Sequence, residues 1–423
     1  MNVVETYGKV VQEWCDDSPE RARWLLKTGW QAQDLKYTVL PDKRLTPANQ
    51  YLAKMMMELM ICALAHPEQS AIVSIFTPCE MLQEVDLYPY NVEGFSCFLT
   101  GSKAERSFLQ CAEDAGLAET LCSYHRTFIG AAEAGLLPKP KCIVYTSLAC
   151  DANLVTFKHL QHYYDVPAFA IDVPMQQNAA NVEYVARQLK DLKTFLEKET
   201  GKLIDERKLE ERALRSKATL EKNELCQSLR KDRFIPSDLV TPMYAGMTGN
   251  VMLGMEAQEK YVDMFLEDIQ KAPSTHGKRI YWMHTIPFWS KACQQALAFK
   301  DDAVLVGDEL MQVIDPALLE GDAYTQMATR MVYHALNGSV KRRIENGIKH
   351  AKQTNADGVV WFNHWGCKHT LGGSQLAKQK FEDAGMPLLL LDGDGCDTSH
   401  GGEGQTATRL EAFLEMLGGD GRA

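Results

Sequence analysis

The feature that most constrains this chain is a unit that occurs twice. An apolar run leads to a cysteine, a helical stretch follows, and a proline then opens a second apolar run ending in aspartate. In the C-terminal copy Val359-Val360-Trp361-Phe362, after Asp357-Gly358, leads through Asn363-His364-Trp365-Gly366 to Cys367. Met386-Pro387 then opens Leu388-Leu389-Leu390-Leu391-Asp392-Gly393-Asp394. In the N-terminal copy Cys142-Ile143-Val144-Tyr145-Thr146 leads to Cys150, a helix spans Leu154 to Tyr164, and Val166-Pro167-Ala168-Phe169-Ala170-Ile171-Asp172 follows. From cysteine to proline the gap is 17 residues in the first copy (150 to 167) and 20 in the second (367 to 387). Unbroken apolar runs joined by helices are strands of a parallel sheet covered on both faces. Strand ends are where such sheets place their chemistry. The repeat therefore predicts two similar α/β halves that carry Cys150 and Cys367 towards a shared cleft.

The rest of the chain fits around those halves. The first 70 residues read as helices. Ser18-Pro19-Glu20 starts one that Gly29 closes, and Thr46-Pro47 starts another that Pro67 stops. Met55, Met56, Leu59, Met60 and Ala63 lie at helical spacing and read as core. Ala71 to Phe76 is the first strand, Lys278 to His284 opens the second half, and Ala303 to Glu309 is the next strand. Helices are expected at Tyr324 to Leu336, Arg342 to Gln353 and Thr406 to Leu417. From about Asn178 to Arg230 the mixed-sign charge pattern signals solvated helices joining the halves. The expected fold is α/β, with two flavodoxin-like (Rossmann-like) parallel-sheet domains and a helical domain between them. The divisions are 1–175, 176–276 and 277–423. Tyr244-Ala245-Gly246-Met247-Thr248-Gly249-Asn250 is a loop or a helix contact, not a phosphate loop, because no Gly-Lys-Ser/Thr follows.

A formal net charge of -11 and the lack of a basic cluster argue against nucleic acid. No apolar run nears the ~20 residues that span a bilayer. Met1-Asn2-Val3-Val4-Glu5-Thr6-Tyr7 lacks a basic and apolar leader, so the expected location is cytoplasmic. There the 12 cysteines favour thiols or metal ligands over disulfides. Most need only a packing role. Cys79 reads as a ligand or a packed thiol, and Glu80 as a charge at a helix start or a cleft residue.

Cys122 differs from these, because His125 and Arg126 follow it closely and nearby cations favour a thiolate. With no Cys-x-x-Cys spacing, Cys122, Cys150 and Cys367 meet only if the fold brings them together. Either they are separate packed thiols, or they converge. Convergence would select an iron–sulfur cluster, with three thiolates leaving one iron of four open.

At these residues the chain resembles the 2-hydroxyacyl-CoA dehydratase family, which includes the ATP-dependent benzoyl-CoA reductase subunits. The matching pieces are Pro78-Cys79-Glu80-Met81-Leu82, Leu121-Cys122-Ser123-Tyr124-His125-Arg126-Thr127, Leu148-Ala149-Cys150-Asp151, Ile286-Pro287-Phe288-Trp289, Gly366-Cys367-Lys368 and Leu391-Asp392-Gly393-Asp394. The resemblance implies a larger, cluster-bearing subunit with a [4Fe-4S] cluster on Cys122, Cys150 and Cys367. It further implies an acyl-CoA thioester substrate, a related second subunit (or a second copy), and a separate ATP-dependent iron–sulfur activator that injects one electron. The expected reaction is dehydration of an (R)-2-hydroxyacyl-CoA through a ketyl radical. The alternatives are reduction of the benzoyl-CoA type, or electron transfer without a substrate of its own. Two departures stand out: Phe288 occupies a turn where members often have cysteine, and Ile75 a position that often offers a hydroxyl. Flavin, which some members carry, has no residue arguing for it here. His364, His125 and Glu80 are the candidates for proton transfer or substrate hydrogen bonding, and Asp394 for ordering the loop after its strand.

Overall fold

The computed structural model describes residues 3–400 and 402–418. Met1 and Asn2 of the N-terminal stretch read above, and the last five residues of the C-terminal division, lie outside them.

The first sheet contains β1 (Ser70–Val73), β2 (Tyr88–Asn91), β3 (Cys142–Thr146) and β4 (Ala168–Ile171), and the second β5 (Lys278–Met283), β6 (Ala303–Asp308), β7 (Gly358–His364) and β8 (Leu388–Gly393). Every pairing is parallel, and the orders are β2-β1-β3-β4 and β6-β5-β7-β8. The two sheets thus share one topology, that of the flavodoxin-like class. The expected repeat occupies equivalent places: β3 and β7 precede the two cysteines, and β4 and β8 are the proline-led strands.

β7 shows why its sequence is apolar without alternation. Val360 and Phe362 face the main core, while Val359 and Trp361 face a second cluster with Tyr281, Met283, Ile344 and Phe381. Successive side chains point to opposite faces, and helices cover both. The main core is continuous across both sheets and the helices between them.

β2 was not expected. It is four residues long and contains Pro89, which local pattern reads as a turn; pairing with β1 and burial make it a strand. Local pattern ends a helix at Gly29, but the helix runs from Pro19 to Val39 through it. The glycine is there for closeness. A Cβ at Gly29 would lie 2.4 Å from the Tyr7 hydroxyl oxygen, which donates to the carbonyl of Leu26 at 2.9 Å. Ser18 makes no side-chain cap bond, whereas Thr46 accepts from the Asn49 N–H at 3.4 Å and caps Pro47–Ala65.

The charged stretch forms helices Ala179–Thr200 and Glu206–Leu229, capped by Asn178 and Asp205. Val185, Leu189, Leu192 and Leu196 bury one stripe, and the charges face outward. The 244–250 segment lies within helix Val240–Val251. Among the described residues no helix is long and apolar enough to cross a membrane.

Candidate active site

In both sheets the strand order reverses beside the first strand, between β1 and β3 and between β5 and β7. Ligands of open α/β sheets bind at such points, outside the carboxyl ends of the strands. Here a cavity of about 310 Å³ is lined from both halves: Ile75 and Phe76 follow β1, Cys150 follows β3, His284 and Thr285 follow β5, and Cys367 follows β7. Cys122, at the start of helix Ser123–Glu133, lines it too.

The three cysteines are therefore brought together. Gly366 gives a measure of how closely. A Cβ added there would lie 2.3 Å from the Cα of Cys122, so the residue before Cys367 packs directly on the Cys122 backbone. Only glycine permits that approach.

Two of the predicted histidines reach the same sulfurs. Nε2 of His364 lies 3.2 Å from Sγ of Cys122, and Nδ1 of His364 accepts the backbone N–H of Gly395 at 3.1 Å. Nδ1 being an acceptor, the proton sits on Nε2 and points at the Cys122 sulfur. Nε2 of His125 lies 3.4 Å from Sγ of Cys150, while its buried Nδ1 has no hydrogen-bond partner in the described structure. Burial, with His364 nearby, pushes His125 down to about 3, so it is neutral. Burial likewise lowers His364.

The expectation that cations would favour a Cys122 thiolate is not met. Arg126 is committed to Glu113 at 2.5 Å and lies 3.8 Å from Asp397. The Cys122 thiol is pushed well above its usual value by burial, with Cys150, Cys367 and Asp394 adding to the shift, and Cys150 is pushed up by burial, Glu93 and Cys367.

Glu80 is corrected as well. It does not line the cavity. It is fully buried and clamped by Arg330 through two bonds of 2.5 and 2.8 Å, and it accepts from Ser216 Oγ at 2.7 Å. Cys79 is buried and donates to the Thr77 carbonyl at 3.3 Å. Asp394 orders its loop: Oδ1 accepts from Ser123 Oγ at 2.5 Å and from the N–H groups of Cys396 and Asp397 at 2.8 and 2.7 Å.

A carboxylate that does face the cavity is Glu93, two residues past β2. Its Oε2 accepts from the Ile75 N–H at 3.1 Å and from Asn91 Nδ2 at 2.9 Å, and its Oε1 is 4.0 Å from His125 Nε2. Burial raises it to about 7. The second half has a counterpart, Glu309, just past β6, which accepts from the His284 N–H at 2.9 Å. Arg343 neutralises Glu309 through bonds of 2.6 and 2.5 Å, and among the described residues no such cation reaches Glu93. The same architectural position thus holds a paired carboxylate in one half and a titratable one in the other. Sequence reasoning missed Glu93 because β2 itself was missed; the Asn91-Val92-Glu93-Gly94 cap was its only local signal.

His284 also lines the cavity, with φ +76, the left-handed region that side chains disfavour. The Glu309–Arg343 pair holds its backbone there, and backbone strain concentrates at functional sites.

The donor set fits a cluster better than a single ion. Among the described residues no three His, Cys, Asp or Glu side chains close on one point. A lone zinc needs its sulfurs ~2.3 Å away and hence close together. Thiolates on separate irons of one cube stand further apart. The Cys122 and Cys150 thiols are pushed up by burial and by the neighbouring cysteines, so ionising them together takes a positive charge beside them, which iron would supply.

The family model described as "2-hydroxyglutaryl-CoA dehydratase, D-component" matches residues 74–417. The chain is 25% identical over 327 residues to the (R)-phenyllactyl-CoA dehydratase alpha subunit of Clostridium sporogenes, covering 72% of this chain and 79% of that one. It is 22% identical over 363 residues to the (R)-2-hydroxyisocaproyl-CoA dehydratase alpha subunit of Clostridioides difficile, covering 81% and 88%. To the (R)-2-hydroxyglutaryl-CoA dehydratase subunit alpha of Acidaminococcus fermentans it is 24% identical over 302 residues, covering 66% and 61%. With most of its length matched and the two halves built alike, the chain belongs to the 2-hydroxyglutaryl-CoA dehydratase D-component family.

Proposed function

We propose that this chain is the cluster-holding subunit of an acyl-CoA hydro-lyase that removes water from an (R)-2-hydroxyacyl-CoA thioester. Cys122, Cys150 and Cys367 are its thiolate ligands to a [4Fe-4S] cluster. The observation that carries this is their convergence on one cavity at the switch points of two like sheets, in a chain whose relatives are named as dehydratase alpha subunits. Those names also favour dehydration over ring reduction, and they favour a second subunit beside this one. When bound, the cluster supplies a low-potential electron and an open iron that polarises a carbonyl oxygen. In this reading the electron originates in a separate ATP-dependent iron–sulfur activator.

The chain's own residues have distinct tasks. His364 holds its proton on Nε2 and directs it at the Cys122 sulfur, while Asp394 and Gly395 fix the imidazole from behind. His125 places its Nε2 3.4 Å from the Cys150 sulfur, with no partner on its Nδ1 in the described structure. Both are thereby positioning residues for ligand sulfurs, which tune a cluster through N–H···S bonds. Glu93 is the acid–base group. Near neutral pH it exists in both protonation states, as removal of a hydrogen and a hydroxyl from adjacent carbons requires. Apolar walls exclude water from the thioester.

The test is iron and acid-labile sulfide content of protein produced without oxygen, with the visible spectrum followed on adding acyl-CoA. About four irons per chain, lost in Cys122→Ser, Cys150→Ser or Cys367→Ser, and a spectral response to acyl-CoA are expected. Neither iron nor sulfide after anaerobic reconstitution would refute the assignment. A full cluster with no response to any acyl-CoA would leave an electron carrier.

A further inference from the structure

The two halves present one equivalent position to the cavity and fill it differently. In the first half the backbone N–H of Ile75, past β1, donates to Glu93 Oε2 at 3.1 Å. In the second the backbone N–H of His284, past β5, donates to Glu309 Oε2 at 2.9 Å. Ile75 and His284 are therefore counterparts under the shared strand order, and both line the cavity. One offers carbon to a bound molecule, the other an imidazole.

The turn that carries His284 is braced from behind. The Thr285 N–H donates to His284 Nδ1 at 2.5 Å, with Thr285 Oγ1 3.0 Å from the same nitrogen. The Thr285 carbonyl accepts from Trp282 Nε1 at 3.0 Å, and the Ile286 N–H donates to Met243 Sδ at 3.1 Å. A backbone N–H can only donate, so Nδ1 is the acceptor and the imidazole proton lies on Nε2. The two ring nitrogens point apart, so pinning Nδ1 to the turn directs the Nε2–H away from it. His364 and His125 place their Nε2 atoms beside Cys122 and Cys150. Nε2 of His284 has no hydrogen-bond partner among the described residues, and the side chain is half-buried on the cavity wall. A left-handed backbone at φ +76, locked by buried groups, thus holds one N–H donor ready at the site.

Such a donor calls for an oxygen on the bound molecule. A 2-hydroxyacyl thioester has two oxygens beside its reacting carbons, and the carbonyl oxygen is the one assigned above to the open iron. We propose that the Nε2–H of His284 donates to the other, the 2-hydroxyl oxygen, so that His284 fixes where this hydroxyl sits and reads its presence. The proposal rests on the reading that a 2-hydroxyacyl thioester binds in this cavity. No proton leaves the imidazole: the contact orients the hydroxyl. A site that donates to a substrate hydroxyl discriminates against the analogue without it, because the donor is then left unpaired.

Calorimetric titration of the anaerobically produced full chain tests this, with no activator or ATP added so that no turnover occurs. The probes are (R)-3-phenyllactyl-CoA, (R)-2-hydroxy-4-methylpentanoyl-CoA and (R)-2-hydroxyglutaryl-CoA, the analogue of each without its 2-hydroxyl, and free CoA. For the acyl group bound most tightly, the wild-type chain is expected to prefer the hydroxy form at least about fivefold, a difference of about 1 kcal/mol. In His284→Asn that ratio is expected to fall to near one, since asparagine tolerates the left-handed φ but stops short of the Nε2 position. A purely structural role for His284 would weaken both forms alike and leave the ratio unchanged. Equal binding of the two forms by the wild-type chain overturns the proposal, as does a folded His284→Asn protein with the wild-type ratio. Either result leaves the dehydratase reading in place. If none of the thioesters binds more tightly than free CoA, the thioester reading itself falls. If the variant does not fold, the wild-type ratio decides.

Discussion

The reassignment of Glu80 from chemistry to scaffold gives a sharp prediction. Glu80 follows β1, and Arg330 lies on a helix of the other half, 250 residues away, so their two bonds tie the halves together. Glu80→Gln keeps the shape and the Ser216 bond but removes the charge, leaving the Arg330 guanidinium buried and uncompensated. Breaking such a pair from one side costs about 3–5 kcal/mol. Over 423 residues, at about 2.1 cal/mol/K each, the unfolding entropy is about 0.9 kcal/mol/K, so Tm falls by roughly 3–6 °C. The fall is larger if one half unfolds before the other. Calorimetry on Glu80→Gln, Arg330→Met and the double variant measures this. The double variant is expected to recover part of the loss, because it no longer buries a lone charge. Iron content and turnover measured well below the variant Tm should stay near wild type. A Glu80→Gln protein with unchanged Tm and turnover lowered by orders of magnitude would refute the reasoning and return Glu80 to the chemistry.

Gly366→Ala is expected to abolish iron uptake while circular dichroism stays native, since its Cβ would push on the Cys122 backbone from 2.3 Å. His364→Phe removes one N–H···S bond to Cys122; at about 1 kcal/mol favouring the reduced cluster, the midpoint potential in an EPR redox titration should drop by roughly 40 mV. Glu93 is raised by folding from 4.5 to about 7, so its contribution to stability is present below about 4.5 and lost as pH rises through about 7. Glu93→Gln should flatten that decline in urea-unfolding series across this window and should suppress turnover of the assembled enzyme.

Local pattern carried a great deal here. The unbroken apolar runs at β3, β7 and β8 could only be buried strands, and the doubled strand–cysteine–helix–proline unit implied two halves of one topology. Cys150 and Cys367 were legible through their place in that repeat, and Cys122 through the His125 and Arg126 that follow it and its matching motif. Boundaries came out close, as at Val340–Gln353 against an expected start at Arg342.

What stayed hidden depended on partners far away in the chain. β2 is a strand because β1 pairs with it, although Pro89 argues otherwise locally. Gly29 continues a helix because Tyr7 packs against it. Glu80 and Glu93 are each a glutamate near a helix start. One is neutralised by an arginine 250 positions on, while the other is left beside the cavity with a raised pKa. The sequence by itself determined the elements and their alternation, because backbone preference and hydrophobic period act over a few residues. Tertiary structure alone decided which buried charge finds a counter-charge, because burial and neighbours 100 or more positions away set the electrostatic cost.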